Sequence, residues 1–244
     1  MNRGFYFSAL VYNNVCRKII VRGRKMDETP IFKITKLNIK ENDRGEYIRE
    51  VENNMHNSIP AEEGTLLIGS AHDDAHGEDN YEIELFRNSL AEDLHIAAAH
   101  ADDFAETIDK ISTDKEVIDL KPEVITTKSH DALNDNADNF VMRLVKVEVK
   151  PEDAEKFAHE VKKEMTTSMA AEPGMEIMMS GVNKKNESEW YFVEVYFDDK
   201  AYDAHIKSAQ YLEYVENTDG MVVRRDVKNL VRDTLATQGA IVLD

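Results

Sequence analysis

The chain repeats itself at an offset of 110 residues, and the two copies align without a gap. At that offset Lys40 falls on Lys150, Glu50-Val51 on Glu160-Val161, Met55 on Met165 and Ser58 on Ser168. Ala61-Glu62-x-Gly64 meets Ala171-Glu172-x-Gly174, Tyr81 meets Tyr191, and Glu84 meets Glu194. Asp93-x-His95-Ile96 meets Asp203-x-His205-Ile206, and Glu106 meets Glu216. A period this long marks a domain duplication, since solenoid units run about 20 to 50 residues. The copies also form an internal comparison: a polar residue kept in both has been held by fold or by function. The boundaries this implies are a basic, loosely ordered extension over 1–30, repeat one over 31–125, a linker over 126–138, and repeat two over 139–244.

The order of elements within each repeat follows from hydrophobic period. Residues 31–39 and 140–149 open the copies as strands, the second alternating Val145, Val147 and Val149 with Lys146 and Glu148. Tyr47, Val51 and Met55, matched by Phe157, Val161 and Met165, recur every four residues as one apolar helical stripe. A turn at Glu63-Gly64 or Glu172-Pro173-Gly174 follows, where glycine can take a positive φ at no steric cost. Strands over 65–71 and 175–182, then 81–86 and 190–196, are joined by polar hairpins. A helix over 91–108 and 201–216, broken near Ala99 and Ala209, leads to a last strand over 116–125 and 221–230. The order β-α-β-β-α-β is the ferredoxin-like, split βαβ arrangement. The fold class expected is therefore α+β: two ferredoxin-like repeats whose antiparallel sheets meet face to face and enclose a space.

Charge narrows the partners. The formal charge is −18, and the first 25 residues hold six basic residues and no acid, so the remainder carries 24 basic against 48 acidic residues. Such a body repels nucleic acid and anionic membranes, both of which recruit basic proteins. No segment has the ~18 apolar residues of a membrane span, and the single Cys16 rules out an internal disulfide framework and fits a reducing, cytoplasmic setting. The basic stretch lacks a small-residue cleavage site, so it is read as a loose extension, or as residues upstream of a start at Met26, ahead of a targeting arm. The partner expected is a small molecule, with a homodimer left open.

Chemistry concentrates in the retained polar residues. Period two puts Phe192, Glu194 and Tyr196 on one face of their strand and Tyr191, Val193 and Val195 on the other. With the valines assigned to the helix-covered face, Glu194 would point at the opposite sheet between aromatic rings, and Glu84 would do so beside Phe86. Burial there would raise the carboxyl pKa and suit an acid, a base or a substrate anchor; pairing with a cross-strand cation such as Arg143 is the competing account. His95 and His205 lie mid-helix and are natural general bases, with bracing of the helix as the alternative. His56 and His100 become Thr166 and Gln210 in the second copy, so the fold does not need them, and they direct attention to repeat one as a substrate-binding pocket. His72-Asp73-Asp74-Ala75-His76 resembles a metal cluster, but Val182 and Asn186 replace its histidines, and an acidic hairpin loop accounts for it; no metal is expected. Nucleotide-loop, nucleophile-elbow and C-x-x-C motifs are absent.

The series E-(E/P)-G, strand, Y-x-x-E-x-(Y/F), A-x-x-x-H resembles the antibiotic biosynthesis monooxygenase (ABM) domain family. It reads Glu172-Pro173-Gly174, Tyr191 to Tyr196 and Ala201 to His205 in repeat two, and Glu62-Glu63-Gly64, Tyr81 to Phe86 and Ala91 to His95 in repeat one. The resemblance covers residues 31–125 and 140–230 and implies a dimeric α+β barrel, here closed within one chain. It also implies a cofactor-free oxygenase acting on a quinol or related phenolic, with molecular oxygen as co-substrate. His95 or His205 would be the base, Glu84 or Glu194 its orienting partner, and His56, His100, Phe86, Phe192 and Tyr196 the substrate contacts. Other branches degrade haem or isomerise autoinducer-2 phosphate. Trp190, at a strand rather than in the second-helix region, departs from the haem pattern, and the acidic body offers no phosphate cluster. A non-catalytic binding or stress-response module is the remaining alternative.

Overall fold

The computed structural model describes residues 28–128 and 140–243; Cys16, the basic extension before residue 28 and most of the expected linker lie outside them. Repeat one comprises β1 (Ile31–Ile39), α1 (Arg44–Ser58), β2 (Thr65–His72), β3 (Asp79–Phe86), α2 (Ser89–Ile96), α3 (Ala99–Ile111) and β4 (Ser112–Thr127). Repeat two follows as β5 (Val141–Val149), α4 (Ala154–Ala171), β6 (Met175–Asn183), β7 (Glu189–Tyr196), α5 (Asp199–His205), α6 (Ala209–Thr218) and β8 (Val222–Thr237), with a short β9 (Ile241–Leu243). The expected break in the second helix falls where α3 and α6 begin, at Ala99 and Ala209. Side-chain caps start α2, α5 and α6: Asn88 and Asp198 accept from Ala91 and Ala201 N–H, and Ser208 accepts from Tyr211 N–H.

Eight antiparallel strands close in the order β1-β3-β2-β8-β5-β7-β6-β4 and back to β1, with β9 added beside the end of β4. Closure depends on strands longer than the sequence suggests. β4 and β8 each run 16 residues. Residues 112–120 of β4 pair with β1, and residues 120–127 continue onto β6 of the other repeat. β8 does the reverse, pairing first with β5 and then, over residues 231–237, with β2. The first residues of the expected linker are thus strand, because they satisfy their backbone groups on the neighbouring repeat.

The sheets therefore join edge to edge as one barrel, and its interior is filled rather than hollow. Phe32, Ile34, Ile83, Leu85, Ile118 and Leu120 meet Met142, Leu144, Val193, Val195 and Leu230 in a single apolar cluster. This corrects the facing of the third strand. Tyr191, Val193 and Val195 point into the barrel, whereas Trp190, Phe192 and Tyr196 pack with Phe157, Val161 and Met165 of α4 on the outside. Branched residues suit either buried face; what decides is that the interior of this small barrel is already filled by apolar side chains, which leaves a carboxylate no polar partner there, so the strand glutamates turn toward the helices.

Candidate functional site

The site is built on that outer face, between the sheet and the helices. In repeat two a pocket of about 540 Å³, open mouth included, is lined by Arg143, Glu164, Phe192, Glu194, Tyr196, Tyr202, His205, Tyr211, Tyr214 and Arg225 among others. His205, Glu194, Phe192 and Tyr196, all singled out from sequence, are brought together there.

His205 occupies the last turn of α5 and is 1% exposed. Its Nδ1 lies 3.1 and 3.2 Å from the two oxygens of Glu172, the first residue of the E-P-G turn. A carboxylate can only accept, so Nδ1 is the donor of this pair, and in the neutral imidazole Nε2 is the nitrogen left with a lone pair. Nε2 is buried, makes no hydrogen bond, and stands 3.8 Å from Glu164 Oε1. The rings of Tyr196 and Tyr211 flank the imidazole, with centroids at 5.5 and 4.9 Å.

Glu164 projects from α4 into this setting and accepts a 2.6 Å hydrogen bond from Ser168. Burial raises its carboxyl to about 7, against the opposing pull of the Ser168 hydrogen bond and His205 and with help from Glu194 and Glu172. Glu194 accepts from the Tyr196 hydroxyl at 2.7 Å. Burial, reinforced by Glu194, holds the Tyr196 phenol protonated well beyond the usual range. Arg143 is the direct cross-strand partner of Glu194, yet among the described residues no ion pair joins them. Its guanidinium instead lies 4.5 Å over the Tyr202 ring, and its buried Nε has no hydrogen-bond partner. Arg225 donates to the hydroxyls of Tyr211 and Tyr214 at 3.3 and 3.4 Å. The pocket thus combines a buried base, a neighbouring carboxyl that exchanges protons near neutrality, aromatic walls and two cations.

Repeat one keeps the His–Glu pair and changes its surroundings. His95 Nδ1 meets Glu62 at 2.9 Å, Nε2 lies 3.9 Å from Glu84, and Phe86 stands 5.2 Å away ring to ring. Burial raises the Glu84 carboxyl pKa, opposed by His95 and Lys33. At the 110-residue offset, however, Phe192 is replaced by Glu82, Tyr211 by Ala101 and Glu164 by Asn54. Glu82 is buried with one oxygen unpartnered, and its carboxyl is pushed up by burial and by Glu84. Lys33, at the position of Arg143, is paired with Glu92. Aromatic walls, and a cation held by a carbonyl and a ring instead of a carboxylate, are features of the repeat-two pocket. His56 is exposed on α1, outside both clusters, while His100 is half-buried against Glu62 at 2.8 Å. His72 belongs to neither: it pairs with Asp233 and Arg44, tying β2 to β8 and α1.

Several contributors lie outside the residues the sequence points to: Tyr211, Tyr214 and Arg225 belong to no repeated motif, and Glu62 and Glu172 stand in the motif at the turn with no sign of their pairing to histidine. Glu164 carried a legible signal, since it sits three residues after Val161 on the apolar stripe of α4, where a charge is out of place. Gly64 and Gly174 do not use the freedom to take a positive φ. They are needed for close approach instead: a Cβ on Gly174 would come 2.5 Å from Ala201 Cβ, at the first turn of the helix bearing His205.

The comparisons agree with this architecture. The sequence model of the antibiotic biosynthesis monooxygenase family matches residues 140–217. A Lactobacillus acidophilus NCFM protein provisionally named a monooxygenase is 74% identical, with a TM-score of 0.85, covering 89% of this chain and 100% of its own. A Fusobacterium nucleatum protein, likewise provisionally named, shares the fold at 22% identity and TM-score 0.82, over 89% of this chain and 99% of its own. An anthrone oxidase-like protein shares it more loosely, at 11% identity and TM-score 0.56, over 87% and 94% of the two chains. No curated protein is similar enough in sequence to count as a relative. Among the described residues no helix is long and apolar enough to cross a membrane. With the family pattern in repeat two, a near relative matched along its whole length and the barrel complete, the chain belongs to the antibiotic biosynthesis monooxygenase family.

Proposed function

We propose that the protein is a cofactor-independent monooxygenase whose working pocket is that of repeat two, acting on a small electron-rich phenol or quinol with molecular oxygen as co-substrate. The observation that carries this reading is His205 Nε2: buried and without a hydrogen-bond partner, on a pocket-lining histidine whose Nδ1 is held by Glu172. Nε2 takes the phenolic proton, and the resulting anion is a far better electron donor to oxygen than the phenol. Arg143 and Arg225 counter the anion's charge, and the aromatic walls keep water from the reactive intermediate. The substrate supplies the electrons; one oxygen atom enters the product and the other leaves as water. Membership of a monooxygenase family and the 74% identical relative named for that activity support the reading.

The test is oxygen uptake against a panel of hydroquinones without added cofactor. Uptake on at least one member is expected, with His205→Ala lowering kcat by about 10²- to 10⁴-fold while substrate affinity holds. Absence of uptake across the panel, with phenols still bound, would replace the enzyme by a binding module.

A further inference from the structure

We propose that repeat one carries a binding site for a divalent transition cation of the zinc type, formed by Glu62, His95 and His100. The inference is independent of the reading of repeat two. Glu62 lies in the turn after α1, His95 in the last turn of α2 and His100 in the first turn of α3, so three separate segments converge on one point. One ligand atom from each lies within 4.8 Å of the others. Glu62 Oε2 is 2.9 Å from His95 Nδ1, and Oε1 is 2.8 Å from His100 Nε2. The Ser58 hydroxyl completes the ring, 3.0 Å from His100 Nε2 and 3.4 Å from His95 Nδ1.

Two imidazole nitrogens and a carboxylate are the donor set that borderline divalent cations prefer, leaving a fourth position to water or Ser58. With metal–ligand bonds of about 2.0–2.2 Å, tetrahedral donors sit roughly 3.3 Å apart, so each Glu62–histidine contact needs to open by only about half an ångström. Two neutral imidazoles and one carboxylate give the site a single negative charge, which a dication reverses. An outer shell is present as well. Thr65 Oγ1 donates to Glu62 at 2.6 Å, and Glu84 lies 3.9 Å from His95 Nε2, ready to take the proton that moves there when Nδ1 binds metal. Entry is open, because the side chains of Glu62 and His100 are 17% and 18% exposed.

Repeat two is the built-in control. Ser168, Glu172 and His205 keep their places, but Gln210 replaces His100 and donates its amide to Glu172 at 2.5 Å. That nitrogen has no lone pair to offer. A single change between the copies thus separates a three-ligand site from a two-ligand one.

The experiment is titration of the full chain with Co²⁺ and with Zn²⁺ in excess Mg²⁺, which occupies surface carboxylates. One equivalent is expected, with visible Co²⁺ absorption bands of a low-coordinate nitrogen/oxygen site. His100→Gln should weaken binding by more than the roughly 10–100-fold cost of losing an outer-shell partner, with far-UV dichroism unchanged. Gln210→His should add a second equivalent, a gain that misfolding cannot mimic. Failure of the wild-type chain to bind, or binding indifferent to both substitutions, would overturn the proposal.

Discussion

Glu164 shows how a residue can suit a site and cost the fold at once. Its carboxyl is 6% exposed and raised to about 7, against an ordinary value near 4.5. The folded state therefore holds a proton that the unfolded chain gives up between about pH 4.5 and 7. Stability from this group is undiminished below pH 4.5, falls as pH rises through that window, and stays low above it. At 1.36 kcal/mol per unit the penalty above pH 7 is at most about 3 kcal/mol. Glu164→Gln keeps the acceptor for Ser168 and removes the ionisation, so thermal melts should show the variant gaining on wild type at pH 8 and matching it at pH 4.5. An equal gain at both values would mean that the carboxyl is not held neutral. The residue scale is also where the sequence spoke unevenly. His205 and Glu194 were legible because both copies retain them. Glu164 is hidden from that comparison, since repeat one has Asn54 there, and only its place on the apolar stripe of α4 marks it. Arg143 was legible only as an ion-pair partner, because cross-strand register was readable while its turn toward Tyr202 depended on tertiary packing.

At the scale of elements, the position of His205 rests on how tightly the E-P-G turn meets α5. Hydrophobic period located the helices and strands of both repeats apart from the short β9, and glycine marked the turn; the reason for the glycine was hidden because contact between segments 27 residues apart leaves no local trace. Ala201 and His205 stand one helical turn apart, so pushing the first displaces the second. Gly174→Ala should destabilise the protein by about 1–3 kcal/mol, as overpacking does, and lower kcat by moving Nε2. Adding Ala201→Gly removes the clashing methyl at a propensity cost of about 1 kcal/mol. The double variant should thus recover activity that the single one loses, and a measured coupling energy near zero would show that the two sites do not touch.

For the whole molecule, the shared strands decide how the halves behave. The sequence announced two domains and a linker, and periodicity could not say that the last strand of each would run on into the other. That information lies in the partner's edge, not in the strand itself. The helices reinforce the exchange: α4 packs on β4 and β6, and α1 on β8 and β2, so each repeat's helix covers the other's strand end. Thr234 of β8 even donates to Met55 of α1 at 2.9 Å. With one interior cluster drawn from both copies, neither repeat can open without stripping backbone partners from its neighbour. Trp190 is the chain's one tryptophan and is buried beside Phe157 and Phe192 in repeat two, so its fluorescence reports that half alone. Ile83 is fully buried in repeat one, on the barrel interior, and truncation to alanine should cost about 2–5 kcal/mol. If the barrel is one cooperative unit, Ile83→Ala should lower the tryptophan midpoint in urea as far as it lowers the midpoint of far-UV dichroism. A tryptophan transition left at its wild-type position, with dichroism split into two steps, would instead mean that the repeats unfold as separate domains despite their common strands.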